Sequence, residues 1–147
     1  MLDYVQAVAG HVKAQHPALE TFCCVPPEDR ELWPALAGVA DLDNLGTDLY
    51  WANDTHDPEE MRPLVRELAG LCLAQGKRHH QWLQCWGVRR GNEGRVGQLG
   101  EVLAGERPDA LYVWAFEGQV GTSETCADPA RAWQQACAVL RRVADSS

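Results

Sequence analysis

Two carboxylates lie where predicted strands end, each close to aromatic and amide side chains. Asp48 lies within the strand-like run 44–51, and Glu117 directly follows the run 110–116. A pair of carboxyl groups can divide a reaction between them, one donating a proton and the other acting as nucleophile or base. Aromatic rings can cover flat C–H faces while amides hold hydroxyls, so the neighbouring residues suit a polyhydroxylated ligand. The neighbours that we expect to contact substrate are Tyr50, Trp51, Gln84, Trp86 and Trp114.

Each of these residues also fits a structural role, and the sequence leaves both interpretations open. A carboxylate at a strand end, as at Asp48, often bonds the backbone, and one beside a glycine, as at Glu117, is typical of a loop. Trp86 and Trp114 also fit as core side chains. A Gln84 amide that points into a sheet interior needs hydrogen-bond partners, which either the chain or a ligand can supply.

The cysteines and histidines give no pattern that predicts a metal site or a cofactor. Zinc sites use C-x₂₋₄-C pairs, and the six cysteines form none. His79 and His80 precede a strand-like run in which neighbouring side chains point to opposite faces. We therefore expect no metal and no cofactor, and we expect the cysteines to be reduced, buried thiols.

Length and charge exclude several classes of protein. A chain of 147 residues predicts a single domain over residues 1–147. Its formal charge of −8 at pH 7 repels phosphate backbones, so we expect no nucleic-acid partner. The apolar runs are far shorter than the roughly 20 residues of a membrane span, and the N-terminus has no secretion-signal pattern. The expectation is a cytoplasmic protein without membrane contact.

The elements that must position the candidate residues alternate along the chain as a helix followed by four βα units. Helical spacing of apolar residues predicts helices over 3–15, 28–40, 58–75 and 92–105 and from 129 onward, and β-prone runs predict strands over 19–25, 44–51, 80–86 and 110–116. Strands joined by helices are expected to be parallel with right-handed crossovers, which makes the fold class α/β.

Two architectures fit four parallel strands: an open sheet with helices on both faces, and half of a (β/α)₈ barrel. The central strands of an open sheet should be almost wholly aliphatic. Here small aliphatic residues fall mostly on one face, such as Leu111 and Val113, whereas aromatic residues such as Tyr112 and Trp114 fall on the other. This alternation favours the half barrel.

Three segments resemble the last strands of (β/α)₈ glycoside hydrolase-like proteins: NLGTDLYW at 44–51, QWLQCWG at 81–87 and ALYVWAFEG at 110–118. The resemblance implies a C-terminal half barrel with a sugar site at the carboxyl ends of its strands. Many of those enzymes have a Glu at the end of strand seven, where this chain has Gln84 and Trp86, and their acid on strand four would lie outside this chain. The resemblance thus implies either a weak glycoside hydrolase, with Asp48 and Glu117 as its catalytic pair, or a sugar-binding remnant.

A half barrel leaves two sheet edges and an aromatic face uncovered, which predicts self-association as a homodimer. The competing function is therefore a non-enzymatic, self-associating α/β module whose aromatic face is the dimer core. A third hypothesis is a small open α/β domain that binds an unrelated ligand. The first helix has two expected roles: it covers the aromatic face, or it is the helix that follows a missing fourth strand.

Overall fold

The described part of the chain folds into a four-stranded parallel sheet with five α-helices. The computed structural model describes residues 1–115 and 126–145. In chain order the elements are α1 (Leu2–Gln15), β1 (Phe22–Cys24), a 3₁₀ helix (Pro27–Leu32), α2 (Trp33–Ala37), β2 (Asn44–Asp48), a 3₁₀ turn (Pro58–Glu60), α3 (Met61–Ala74), β3 (Arg78–Gln84), α4 (Glu93–Gly105), β4 (Ala110–Trp114) and α5 (Pro129–Asp145).

The strands lie in sequential order β1-β2-β3-β4, and each neighbouring pair is parallel. This is the order that the half-barrel interpretation requires, and it differs from the reversed order of an open doubly wound sheet. The register aligns Asp48 with Trp82 and Gln84 with Trp114. The carboxyl ends of the strands therefore meet at one edge of the sheet, which we call the mouth.

One face of the sheet is covered by helices and holds the aliphatic side chains, together with the buried polar residues Thr47, His79 and Gln81. Leu45 and Leu83 are fully buried there, and the core divides into two clusters under different helices. One cluster joins α1, α2 and α3 to the first strands, and the other joins α3, α4 and α5 to the last strands. The alternation read from the sequence is confirmed, because the aromatic side chains lie on the opposite face.

That opposite face, which we call the aromatic face, is concave. It consists of Phe22, His80, Trp82, Tyr112 and Trp114. On a flat sheet the backbones of β1 and β4 would be roughly 14 Å apart, three spacings of about 4.8 Å. The ring centroids of Phe22 and Tyr112, on those two outer strands, are only 6.3 Å apart and their planes differ by 29°. The outer side chains thus lean toward each other over the middle strands.

The predicted helix over 28–40 is wrong in detail, because it divides into a 3₁₀ helix and the short helix α2. The backbone leaves helical geometry at Asp29, and α2 starts at Trp33, with Pro34 in its first turn. Proline has no N–H and clashes with the preceding turn, so it is tolerated at the start of a helix and disrupts the middle. The other helices begin within a few residues of their predicted positions.

Helix α1 lies in the helical layer and does not cover the aromatic face. Its buried residue Ala9 packs in the same cluster as Val25 and Trp33, and the helix contacts α2. Among residues 1–115 and 126–145, no helix is both long enough and apolar enough to cross a membrane.

Candidate functional site

Asp48 and Tyr50 bring polar chemistry to the mouth because β2 ends between them. Leu49, which separates them, is almost completely buried in the core and anchors the end of the strand. Alternation then places the flanking side chains of Asp48 and Tyr50 on the other side. The ring of Tyr50 meets that of Trp86 edge to face, with 6.0 Å between centroids. The sequence prediction that these three residues share one end of the sheet agrees with their positions.

Burial raises the pKa of the Asp48 carboxyl, and the charge of Glu28 raises it further. A hydrogen bond with its own backbone partly offsets this rise in pKa. Within the described part of the chain, the buried oxygen Oδ1 of Asp48 has no hydrogen-bond partner. A carboxyl group with a raised pKa and an unused oxygen is suited to hold and deliver a proton.

The charge of the Asp48 carboxylate affects two neighbouring groups, Tyr50 and Cys24. Burial, followed by the Asp48 carboxylate, raises the pKa of the Tyr50 phenol and that of the Cys24 thiol. Both groups therefore stay protonated at neutral pH and can act as hydrogen-bond donors. The mouth thus combines one acidic group with two neutral donors and the indole of Trp86.

Gln84 lies beneath the mouth and uses its amide to hold backbone. Its Oε1 accepts a hydrogen bond from the N–H of Ala52 at 2.9 Å, and its Nε2 donates to the carbonyl of Trp86 at 3.0 Å. These bonds tie the segment after β2 to the segment after β3, so Gln84 positions residues on both sides. One amide hydrogen remains beyond these two bonds, and a substrate contact for it stays a prediction.

Trp51 and Trp114, two further predicted residues, make ring contacts with residues other than Tyr50 and Trp86. Trp51 stacks on His56, with 5.1 Å between ring centroids, and packs against the core beneath the loop. Trp114 lies on the aromatic face, 6.1 Å from the ring of Trp82. Glu117, the second predicted carboxylate, lies outside the described residues, so the separation of the predicted catalytic pair stays untested.

Glu28 is a carboxylate at this end that the sequence interpretation missed. It is exposed, and its charge acts on Asp48. The sequence pattern could have located Glu28 at this end, because Pro26-Pro27 end the first strand and Glu28 follows them directly. The carboxyl end of β1 and the carboxyl end of its neighbour β2 lie side by side in a parallel sheet.

His80 lies at the centre of the aromatic face, over a strand position without a side chain. Its ring rests on Gly46, where a Cβ would lie 2.1 Å from His80 Cδ2. Its Nδ1 donates to Asn44 Oδ1 at 2.6 Å. Burial, with a further contribution from His79, lowers the pKa of His80 to about 4, so the imidazole is neutral at pH 7.

A cleft of about 510 Å³ at the amino ends of the strands is lined by three cations, all of which are engaged. Lys13 pairs with Asp43 at 2.6 Å, Lys77 donates to the carbonyl of Val39 at 2.6 Å, and Arg78 pairs with Glu20. These contacts join the start of the sheet to its connecting loops and leave little free charge for an anion. Across the described ranges, no three His, Cys, Asp or Glu residues cluster as a metal site would require.

The comparisons with known proteins give one structural likeness. The sequence matches no protein-family profile, and no curated protein matches it. The endo-β-1,4-mannanase from Thermotoga petrophila, whose X-ray structure is known, superimposes with a TM-score of 0.58 at 11% sequence identity. The match covers 97% of this chain and 39% of the mannanase chain.

The sheet is half of a (β/α)₈ barrel. A full barrel has eight parallel strands in sequential order, and this chain supplies four in that order. At 11% identity the likeness to the mannanase shows the fold alone. The chain spans well under half of that enzyme, so the enzyme's activity does not transfer with the fold.

Proposed function

We propose that this chain is a carbohydrate-active, glycoside hydrolase-like half barrel that binds a sugar at its mouth. The observation that carries the proposal is the grouping of Asp48, Tyr50 and Trp86 at the carboxyl ends of barrel strands, where barrels of this architecture place their active sites. A sugar ring stacks on the indole of Trp86, and its hydroxyls bond Tyr50 and Asp48.

Asp48 is the acid in this proposal. Burial raises the pKa of its carboxyl, which shifts the group toward the protonated form that the general acid of a glycosidase requires. Glu117, the second carboxylate that the sequence analysis predicted, is the proposed nucleophile or base, and Glu28 is a second candidate for that role. Retention requires carboxyl groups about 5–5.5 Å apart and inversion requires about 6.5–9.5 Å.

Sugar binding is tested by intrinsic tryptophan fluorescence during titration with β-1,4-linked manno-, cello- and xylo-oligosaccharides. We expect a saturable change with at least one series, and we expect the Trp86→Ala variant to bind at least tenfold more weakly. The Leu73→Ser variant, altered at an exposed site on α3, should bind as the wild type does. No fluorescence change with any sugar would overturn the proposal and favour the self-associating module.

Catalysis is tested separately with activated aryl β-glycosides. Asp48→Asn should lower the rate at least a hundredfold, and Glu117→Gln should do the same if both carboxylates act. The matched control is Asp41→Asn, which changes an exposed carboxylate before β2. Asp48→Asn removes a partly buried charge, so we expect it to fold at least as stably as the wild type. A rate unchanged by Asp48→Asn would contradict its role, and binding without hydrolysis would identify a sugar-binding remnant.

A further inference from the structure

Exposed large apolar side chains gather at the two open ends of the half barrel. Among the described residues, the one exposed large apolar side chain outside these two ends is Leu73 on α3, which is 81% exposed. The others belong to α1, β1 and the segment between them, or to β4 and α5; they are Met1, Tyr4, Val8, Leu19, Phe22, Tyr112, Trp114 and Val143. Apolar surface concentrated in two places in this way marks an interaction surface.

Helix α1 presents a second apolar stripe beside the one that it buries. Ala9 and Val5 pack into the core, whereas Tyr4 and Val8, one turn apart, are 73% and 43% exposed. Side chains four residues apart lie on one face of a helix. The exposed stripe continues toward β1 through Leu19, which is 54% exposed.

The opposite end of the half barrel offers a complementary groove. It has a volume of about 740 Å³ and runs beside β4, between the ends of α4 and α5. Its walls combine apolar and charged residues: the apolar ones include Ala104, Ala110, Leu111, Val139 and Val143, and the charged ones are Glu101, Arg107, Asp109 and Arg142. Within the described part of the chain, the outer edges of β1 and β4 have no strand beside them.

We infer that a second copy of this chain closes the barrel. The edge strand β4 of one copy pairs with β1 of the other, and the α1 stripe and Leu19 of that copy lie along the groove beside β4. A two-fold axis along the barrel repeats this junction, so four strands from each copy make eight and no edge remains. The aromatic faces meet in the lumen, where barrels hold packed side chains.

This inference does not depend on the proposed sugar site. Closure covers the aromatic face, which lies below the mouth, and leaves the carboxyl ends of all eight strands open to solvent. The mouth would then be lined by both copies, so a substrate could meet Asp48 of one copy opposite the mouth of the other. Two junctions and a shared lumen are consistent with a stable interface, which typically buries about 1,600 Å² in total.

The test is the mass of the full chain in solution, measured by light scattering from micromolar to tens of micromolar concentration. We expect twice the 16.3 kDa of the chain. Val8→Glu and Leu19→Glu each place a charge in the junction and should weaken association at least tenfold. Leu73→Glu, equally charged but at the middle of the helical layer, should leave the dimer intact.

Hydrogen exchange keeps the test independent of any variant. In the closed dimer, the outward amides of β1 and β4 should gain protection as the concentration rises, while those of β2 and β3 should not change. A mass of 16.3 kDa at tens of micromolar would overturn the inference. An equal loss of association in Leu73→Glu, or an open series of larger masses, would also overturn it. The sugar titration tests a different claim, binding at Trp86 within one copy, so its failure would not overturn the dimer.

Discussion

At the scale of single residues, two partly or fully buried titratable groups make stability depend on pH in opposite directions. Asp48 has a raised pKa, so its proton is held more tightly in the folded chain than in the unfolded chain, and its charge disfavours folding at neutral pH. His80 has a lowered pKa, so the folded chain favours its neutral form. The second effect is the larger, because His80 is completely buried.

We expect acid to destabilise the fold through His80 before most carboxylates titrate. The pKa of His80 falls from 6.5 to about 4 on folding. Its stabilising contribution is therefore complete above pH 6.5 and is lost as pH falls toward 4; the loss amounts to about 2 kcal/mol between pH 6.5 and 5. His79, whose pKa burial also lowers, adds to the effect in the same direction.

Urea unfolding at a series of pH values measures this dependence. His80→Gln should be less stable at pH 7 but show a shallower loss of unfolding free energy between pH 6.5 and 5. His16→Gln, at an exposed position, should keep the wild-type profile. Equal slopes for His80→Gln and the wild type would contradict the assignment.

At the scale of elements, the contact between β2 and β3 on the aromatic face depends on a missing side chain. Gly46 is opposite His80 in the strand register, and the imidazole occupies the space that a Cβ would need. Gly46→Ala should therefore displace His80 and its bond to Asn44, lowering the free energy of unfolding by about 2 kcal/mol or more.

The matched control for Gly46→Ala is Gly70→Ala. A Cβ on Gly70, within α3, would meet nothing within 4 Å. This change should raise stability by about 0.5–1 kcal/mol, because alanine loses less entropy than glycine in a helix. Chemical denaturation of both variants makes the comparison. Unchanged stability in Gly46→Ala would mean that the ring does not rest on the strand.

The elements themselves were largely predictable from local pattern. Side-chain alternation in β4 predicted which face the helices cover. Asp57, which precedes Pro58, caps the 3₁₀ turn, because its carboxylate accepts the N–H of Glu59 at 3.0 Å. The division of the second helix was not predicted, because apolar spacing continues through residues 28–40 while the backbone leaves helical geometry at Asp29 and α2 starts only at Trp33. Periodicity reports which side is buried and does not report where hydrogen bonds break.

The candidate site was predictable only in its location. Parallel strands fix which end Asp48 and Trp86 share, but the partners of Gln84 depend on how the loop after β2 returns to the sheet. The backbone N–H of Ala52 has no signature in the sequence. The stacking of Trp51 on His56 is likewise a property of that loop's path.

At the scale of the whole molecule, the six cysteines test the expectation that the chain is reduced. Cys72, Cys85 and Cys126 are buried, and burial raises the pKa of Cys72 to about 11 and that of Cys85 to about 12. A thiol reacts as its thiolate, so these groups should react slowly in the folded protein.

Thiol titration under non-reducing conditions should give six reactive groups in denaturant. In native buffer the partly exposed Cys23 and Cys137 should react before the buried thiols. Cys24 is also partly exposed but should react slowly, because burial and the Asp48 carboxylate raise the pKa of its thiol. Fewer than six groups in denaturant would indicate a disulfide and an oxidising compartment. Fast reaction of all six in native buffer would contradict the burial described for the core.

The approach of Phe22 to Tyr112 has a consequence for the lifetime of the folded state. Neighbouring parallel strands are joined within one βα unit, so their pairing requires only local chain closure. The rings of Phe22 and Tyr112 belong to the first and last strands, and they can meet only after every intervening unit is in place. Contacts that form after the rate-limiting step slow unfolding and leave the folding rate nearly unchanged. We therefore expect the contact between these two rings to lower the unfolding rate of the sheet, and so to lengthen the lifetime of the folded state, with little effect on the folding rate.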